Sequence, residues 1–431
     1  MKVVAFLPAK GTSERIPSKN RKLLNGKPLF FYTLKKLCEC DFIDEVYLDS
    51  ESDEILNYAS YLSYIPLKRD VALATNQTDG HQMFYNEVKQ VEADIYIQIL
   101  GTSPFIKKDT IRKGIDILKE HPEYDSVVLM KVDKEYIWEH GQPAYGRSRI
   151  PNSNTLPDTV IESMGLYMVR RDTALVNKMR YGNHVYLLTG DAIETIDVNY
   201  EDEFELADTI MKGLAAKEML RFQMLSRFLN SAVFADILAE KGIDSVISGL
   251  KPNLSDARRM GRANTLKLRA LGKGEDYRGI YQALKTYPSI TPGEMIVVEN
   301  EVCEKAYFGE LNSYLAVRSG AIGTVVGGVT RDIAQVSKIG YPVWAAGYCC
   351  ADVRYQATVE SCQMPVKING IEIYPGDIIF ADECGIVRIP QNIEEWVIEK
   401  AIVNIKTEKE VLNKVIGNDD AYEIYKQEGE F

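Results

Sequence analysis

Two stretches of this chain gather the residue types that anion chemistry needs. In the first, Ala9-Lys10-Gly11-Thr12-Ser13-Glu14-Arg15-Ile16-Pro17-Ser18-Lys19-Asn20 follows a short apolar run. Small residues at Gly11, Thr12 and Ser13 let backbone N–H groups come close to a polyphosphate. Lys10, Arg15 and Lys19 add positive charge for a triphosphate and for the charge that develops as pyrophosphate leaves. The GxxxxGK[ST] pattern of a P-loop is absent, and a solvated polar loop would have the same composition. In the second stretch, Phe308-Gly309-Glu310-Leu311-Asn312 opens a helical segment, and Gly327-Gly328-Val329-Thr330-Arg331-Asp332 follows it. Arg331 offers a planar fork to a carboxylate, and Asp332 a hard oxygen to Mg²⁺. The N–H groups of Leu311 and Asn312, at a helix start, can hold a second anionic oxygen. A surface ion pair, with Asp332 capping a helix at Ile333–Lys338, would use the same residues.

Elements that could position these residues are legible in the hydrophobic pattern. Val3–Pro8, Glu45–Leu48, Ala93–Leu100, Asp125–Met130 and Ile161–Val169 read as strands, with helical stretches at Leu29–Cys40, from Ser52 and at Asp109–Leu118. This alternation predicts a mainly parallel sheet covered on both faces, with ligands beyond the carboxyl ends of its strands. It is expected to close at Ile193–Val198 and a helix over Asp202–Lys217, followed by helical stretches at Met219–Leu229 and Ala232–Lys241. The second half changes texture, with short β runs at Glu294–Glu299, Ile322–Val326, Val343–Ala346, Gly376–Ala381 and Ile386–Ile389. At 431 residues two domains are expected, 1–217 and 218–431, with the boundary near Ala215–Arg221. Lys406–Phe431 reads as a charged terminal helix with a frayed end.

Bulk properties narrow the function. A net charge of −11 argues against a general nucleic-acid or membrane-surface binder. Met1–Pro8 is too short an apolar run for a signal peptide, and no window approaches the roughly 20 apolar residues of a membrane span. None of the seven cysteines sits in a CxxC pair, which suggests neither a disulfide framework nor a zinc site. The expectation is a cytoplasmic enzyme with reduced thiols. All four histidines (His81, His121, His140, His184) lie in the first half, so a metal in the second half would need carboxylates and water, which suits Mg²⁺ or Mn²⁺. His81, after Asp79-Gly80, reads as a surface histidine rather than a pocket residue.

Ala9–Asn20 resembles the signature of CMP-N-acylneuraminate synthetases and the wider sugar-acid cytidylyltransferases. The resemblance continues through Leu24-Asn25-Gly26-Lys27-Pro28-Leu29, Gly101-Thr102-Ser103-Pro104, Glu162-Ser163-Met164-Gly165-Leu166-Tyr167 and Ile196-Asp197-Val198-Asn199, in family order. It implies a mixed, mostly parallel α/β/α nucleotidyltransferase (GT-A-like) domain that transfers CMP from CTP to the hydroxyl of a 2-keto-acid sugar. Ala9, Lys10, Gly11, Ser13, Arg15, Lys19, Asn20, Thr102 and Ser103 would then hold the nucleotide, with Lys10, Arg15 and Lys19 catalytic. Asp197 and Asn199 would hold Mg²⁺ or Mn²⁺. Three positions depart from the family pattern. Lys10 stands for an arginine and loses its bidentate geometry. Leu100 replaces a glutamine, and Asn199 replaces a second aspartate. These leave the acceptor open, a Kdo-like sugar or a phosphonate being the alternative.

The stretch from about Leu229 to Pro390 is similar to the family that unites 4-hydroxy-4-methyl-2-oxoglutarate aldolases with the regulator of ribonuclease E activity A. The residues that carry this are Gly309-Glu310, Gly328-x-x-Arg331-Asp332, Gly340-Tyr341-Pro342-Val343, Pro375-Gly376-Asp377, Ala381-Asp382 and Gly385-Ile386-Val387-x-Ile389-Pro390. The resemblance implies a ββα swivelling-type α/β domain assembling into homo-oligomers, trimers or hexamers. It further implies a pyruvate-type aldolase or oxaloacetate decarboxylase site, with Arg331 catalytic and on the keto acid, Leu311 and Asn312 facing the carboxylate, and Asp332 and Glu310 serving the metal. Gln335 stands where aldolases usually carry an acid, as in a non-catalytic branch. A second half that only oligomerises or binds a partner is therefore the competing expectation.

Overall fold

The computed structural model describes residues 1–75 and 77–428. The chain divides into two compact units, Met1–Thr209 and Ile210–Phe431. The division falls inside one continuous helix, Glu201–Phe228. The sequence placed the boundary eight residues later and broke this helix in two, because polar residues on all sides give it no clean apolar stripe to follow.

The first unit is built on seven strands: β1 (Val3–Pro8), β2 (Glu45–Ser50), β3 (Ile65–Lys68), β4 (Ile95–Ile99), β5 (Ser126–Asp133), β6 (Thr159–Arg170) and β7 (Val185–Gly190). Their order is β7-β5-β6-β4-β1-β2-β3. β6 runs antiparallel to both neighbours, and the other pairs are parallel. Every residue of β1 is buried, as a strand covered on both faces requires. Ala5 and Leu7 pack with Phe30 and Leu34 of α1 (Leu29–Cys38), and Ile115 and Leu118 of a later helix, Lys108–Glu120, extend the same core. Val4 and Phe6 turn the other way, toward Phe84 and Val88 of the helix Gly80–Val88. Ile193–Val198, expected to close the alternation, is turn and extended loop. The closing strand is β7, which the sequence hid because Leu188 is its one buried residue.

Beneath the carboxyl ends of these strands lies a buried polar group. Asp49 of β2 receives three hydrogen bonds from Arg69 side-chain nitrogens, at 2.7–3.1 Å. Glu87, from the helix Gly80–Val88, is fully buried beside them and accepts a hydrogen bond from Gln98.

The main sheet of the second unit has nine strands: β8 (Val246–Ile247), β9 (Lys251–Pro252), β10 (Arg259–Ala270), β11 (Met295–Asn300), β12 (Gly323–Gly327), β13 (Val343–Ala345), β14 (Ala357–Cys362), β15 (Ile378–Ala381) and β16 (Ile386–Ile389). They are ordered β8-β16-β15-β10-β11-β12-β13-β9, with β14 also on β10. β10 was not legible, because Arg259, Arg262, Lys267 and Arg269 interrupt its apolar pattern. Arg262 is accommodated by carboxylates of Glu218 and Glu394 at 2.6–3.0 Å. The chain ends in helices Glu394–Ile416 and Ala421–Glu428, and residues 429–431 of the expected frayed end lie outside the described residues.

Candidate functional site

The loop after β1 and the turn after β4 emerge at one end of the first sheet, as parallel strands dictate. Lys19 is buried, and its Nζ donates to Val198 O at 2.8 Å. Asn20 Nδ2 donates to Lys10 O at 2.8 Å, and Val198 N–H donates to Thr102 O at 2.9 Å. Ser103 Oγ donates to Asp197 Oδ1 at 3.4 Å. Arg15 lies over the Tyr200 ring at 5.4 Å, and Ser13 sits half-buried on the same loop. Thus residues from positions 10 to 20, 102 to 103 and 197 to 200 meet at one place. The motif on β6 joins them through a bulge between Glu162 and Tyr167. A Cβ at Gly165 would sit 2.6 Å from Ser103 Oγ, so only glycine allows this approach.

Electrostatics at this place are mixed. Burial pushes the Lys19 ammonium down from its ordinary range, Asp197 opposes that, and Arg15 adds to it. Two expected roles meet local competition. The Gly11 N–H, read as a phosphate donor, donates to Glu51 Oε1 at 2.7 Å, so a phosphate there would displace a carboxylate. Asn199 meets Asp197 through its amide NH₂, at 2.5 Å from Oδ2, and so acts as a donor instead of presenting an oxygen beside it. Among the described residues no three His, Cys, Asp or Glu gather to hold a metal ion unaided. The donors at Asp197 fit a hard cation whose remaining ligands are water and triphosphate oxygens. Leu100, half-buried, bonds through its N–H to Gly165 O at 3.0 Å. His81 is half-buried rather than superficial, and its Nδ1 accepts the Arg180 N–H at 3.1 Å.

In the second unit, Gly309, Glu310, Leu311, Asn312, Arg331 and Asp332 line one cavity of about 540 Å³. A helix, Glu310–Arg318, starts there, with the N–H groups of Leu311 and Asn312 in its first turn. Asp332 precedes the helix Ile333–Ile339 but makes no side-chain cap, which rules out the capping role. Its backbone is left-handed at φ 55°, a costly conformation for a non-glycine residue. That conformation aims Oδ2 back across the cavity, where it accepts the Glu310 N–H at 3.1 Å. A residue that sequence reasoning missed completes the site: Asp352 pairs with Arg331 at 2.6 Å. Gln335 is exposed and does not line the cavity. The oxygen donors of Asp332 and Glu310 suit a hard, water-completed cation.

Comparison with known proteins follows this division. Residues 4–189 match the family described as Cytidylyltransferase. Residues 231–388 match the one described as Aldolase/RraA. The chain joins a segment similar to cytidylyltransferases to one similar to the Aldolase/RraA family. Protein DlpA of Legionella pneumophila is 31% identical over 42% of this chain and 29% of its own. A putative 4-hydroxy-4-methyl-2-oxoglutarate aldolase of Halalkalibacterium halodurans is 27% identical over 37% of this chain and 73% of its own. CMP-N,N'-diacetyllegionaminic acid synthase of L. pneumophila is 32% identical over 28% of this chain and 54% of its own. The chain therefore spans about half or less of two of these three relatives. In the cytidylyltransferase-like unit, Asp197 and Asn199 lie beyond the last matched residue, and only the fold brings them to the loop after β1. In the Aldolase/RraA-like unit, Arg331, Asp332 and Asp352 all lie within the match. Glu51 and Asp352 carry no signal in the sequence, because each acts through a partner chosen by the fold.

Proposed function

We propose that the first unit transfers CMP from CTP to a hydroxyl of an acidic 2-keto sugar. The acceptor oxygen bonds to the α-phosphorus, the bond to the β-phosphate oxygen breaks, and pyrophosphate leaves. The observation that carries this reading is the meeting of Lys10, Lys19, Asn20, Thr102, Ser103 and Asp197 beyond the carboxyl ends of the parallel strands β1 and β4. Lys10, Arg15 and Lys19 would offset the triphosphate charge, and the polar backbone from Ala9 to Ser13 would orient it. Asp197, with Asn199 beside it, would hold a divalent cation that neutralises charge on the phosphates. Relatives named for N,N'-diacetyllegionaminic acid, pseudaminic acid and 3-deoxy-manno-octulosonate make acidic sugars the acceptor class to test first.

For the second unit the same argument yields a 2-keto-acid site. Arg331, with the N–H groups of Leu311 and Asn312, would bind the carboxylate. Asp332 and Glu310 would hold a cation that polarises the keto oxygen. A binding-only second unit remains the specific competitor, because Asp352 already occupies Arg331 and Gln335 supplies no charge. Homo-oligomers, trimers or hexamers, belong to either reading.

Pyrophosphate release from CTP and Mg²⁺, across acidic sugars and small keto and phosphonic acids, tests the first proposal. Release with one acceptor, abolished in Asp197→Ala, is the expected result. Silence across the whole panel with no CTP binding would sink it. For the second unit, a metal-dependent release of pyruvate or CO₂ that Arg331→Ala removes would separate an enzyme from a binder.

A further inference from the structure

Arg180 is 5% exposed, yet its Nε donates to nothing. Among the described residues no carboxylate forms an ion pair with it. The guanidinium rests on the amino end of the nine-residue helix Gly80–Val88: a Cβ at Gly80 would lie 2.3 Å from Cζ and 2.4 Å from Nη1. A helix amino end is itself a site of positive potential, so two like charges face each other. Neither nearby acid relieves them. Asp79 caps the helix, accepting the Gln82 N–H at 2.9 Å, and Glu162 accepts the Tyr167 hydroxyl. The remaining neighbours are neutral. The Tyr167 ring lies 5.0 Å from the guanidinium, the Arg180 side chain shares a hydrogen bond with the Tyr167 hydroxyl, and the Arg180 backbone N–H donates to His81 Nδ1. A buried guanidinium with an unpartnered Nε and no carboxylate beside it, against a helix amino end, costs stability unless an anion joins it.

The surrounding loop is held in place for such a task. Asn183 and His184 donate their N–H groups to Asp125 Oδ2 at 2.8 and 3.0 Å. Tyr167 is two residues along β6 from Gly165, which packs on Ser103 of the first site. One strand, β6, thus carries a neighbour of each place.

We propose that Arg180 and the amino end of the Gly80–Val88 helix form a subsite for the negatively charged group, carboxylate or phosphonate, of the acceptor acid. This rests on the transferase reading for the identity of the ligand. Arg180 is a specificity residue here: its fork selects an acid over a neutral sugar.

The test uses the full chain as wild type, Arg180→Gln and Arg180→Lys. N-acetylneuraminate, 3-deoxy-manno-octulosonate and 2-hydroxyethylphosphonate, which has no carboxylate, are titrated by calorimetry, and pyrophosphate release is followed in parallel. Wild type is expected to bind at least one of them, the glutamine variant roughly 30- to 100-fold more weakly, with CTP binding unchanged. The first two probes against the third distinguish a carboxylate from a phosphonate site. The ligand-free glutamine variant should melt no lower than wild type, because an uncompensated buried charge is gone, whereas a structural arginine would lower the melting point. Equal binding by wild type and Arg180→Gln, or no binding of any probe by wild type, overturns the subsite. If the glutamine variant fails to fold, Arg180→Lys decides: it should bind about tenfold more weakly, and unchanged binding overturns the proposal. Arg180-dependent binding without pyrophosphate release would sink the transferase reading and leave the subsite standing.

Discussion

Lys19 ties a local environment to a measurable pH dependence. Burial holds its ammonium below the usual lysine range, and Arg15 pushes the same way. An arriving triphosphate favours the charged form, so above the free chain's pKa binding must take up a proton. On the proposed transferase reading, the KM for CTP should therefore rise with pH below the ordinary lysine value of about 10.4, and Lys19→Arg should flatten that rise. Measuring KM at intervals from about pH 7 to 10 decides it, and an unchanged alkaline rise in the variant would exonerate Lys19. Lys10, Lys19 and Asn20 were legible because a charged loop directly after a buried strand is a pattern in sequence. Glu51, Arg180 and Asp352 were not. Their partners, Gly11, Gly80 and Arg331, lie 40, 100 and 21 positions away, and no spacing rule connects them.

At the scale of elements, close backbone approaches fix where the sites can form. A Cβ at Gly309 would sit 2.5 Å from Asp332 Oδ2 and 3.0 Å from Arg331 Cγ. Gly309→Ala should cost about 1–3 kcal/mol by overpacking. At Gly347, where a Cβ meets nothing within 4 Å, the same change should cost less than about 1 kcal/mol. Denaturant unfolding of the two variants checks this, and equal costs would show that the Gly309 turn yields freely. Strands buried on both faces, such as β1, were readable from continuous apolar runs. β7 and β10 were not, since one is half-exposed and the other carries four cationic residues. Their pairing is set by neighbours in the sheet rather than by their own pattern.

For the molecule as a whole, the two-unit organisation was visible in the change of texture, but the division inside one helix was not, since no linker composition marks it. Thiol reactivity should follow burial across the chain. Cys303, Cys350 and Cys384 are exposed, whereas burial pushes the Cys38 thiol up to about 12 and the Cys40 thiol up to about 11. Iodoacetamide at about pH 8, read by mass spectrometry, should label the first three well before the last two. Equal labelling of all five would contradict the burial seen at α1. The buried group at Asp49, Arg69 and Glu87 has a different reach. Loss of solvent, and then the Asp49 charge, raise the Glu87 carboxyl well above its ordinary range, with Arg69 only partly opposing them. In the unfolded chain Glu87 ionises near about pH 4.3, so between that value and the raised folded one the folded state holds a proton that the unfolded state lacks. The sign follows: stability contributed by this group is whole below the unfolded value and is lost as pH climbs through the folded one. Folding within that window is thus also an act of proton capture at the Glu87 carboxyl. The heat of unfolding should then change with the ionisation enthalpy of the buffer, and that dependence should vanish in Glu87→Gln.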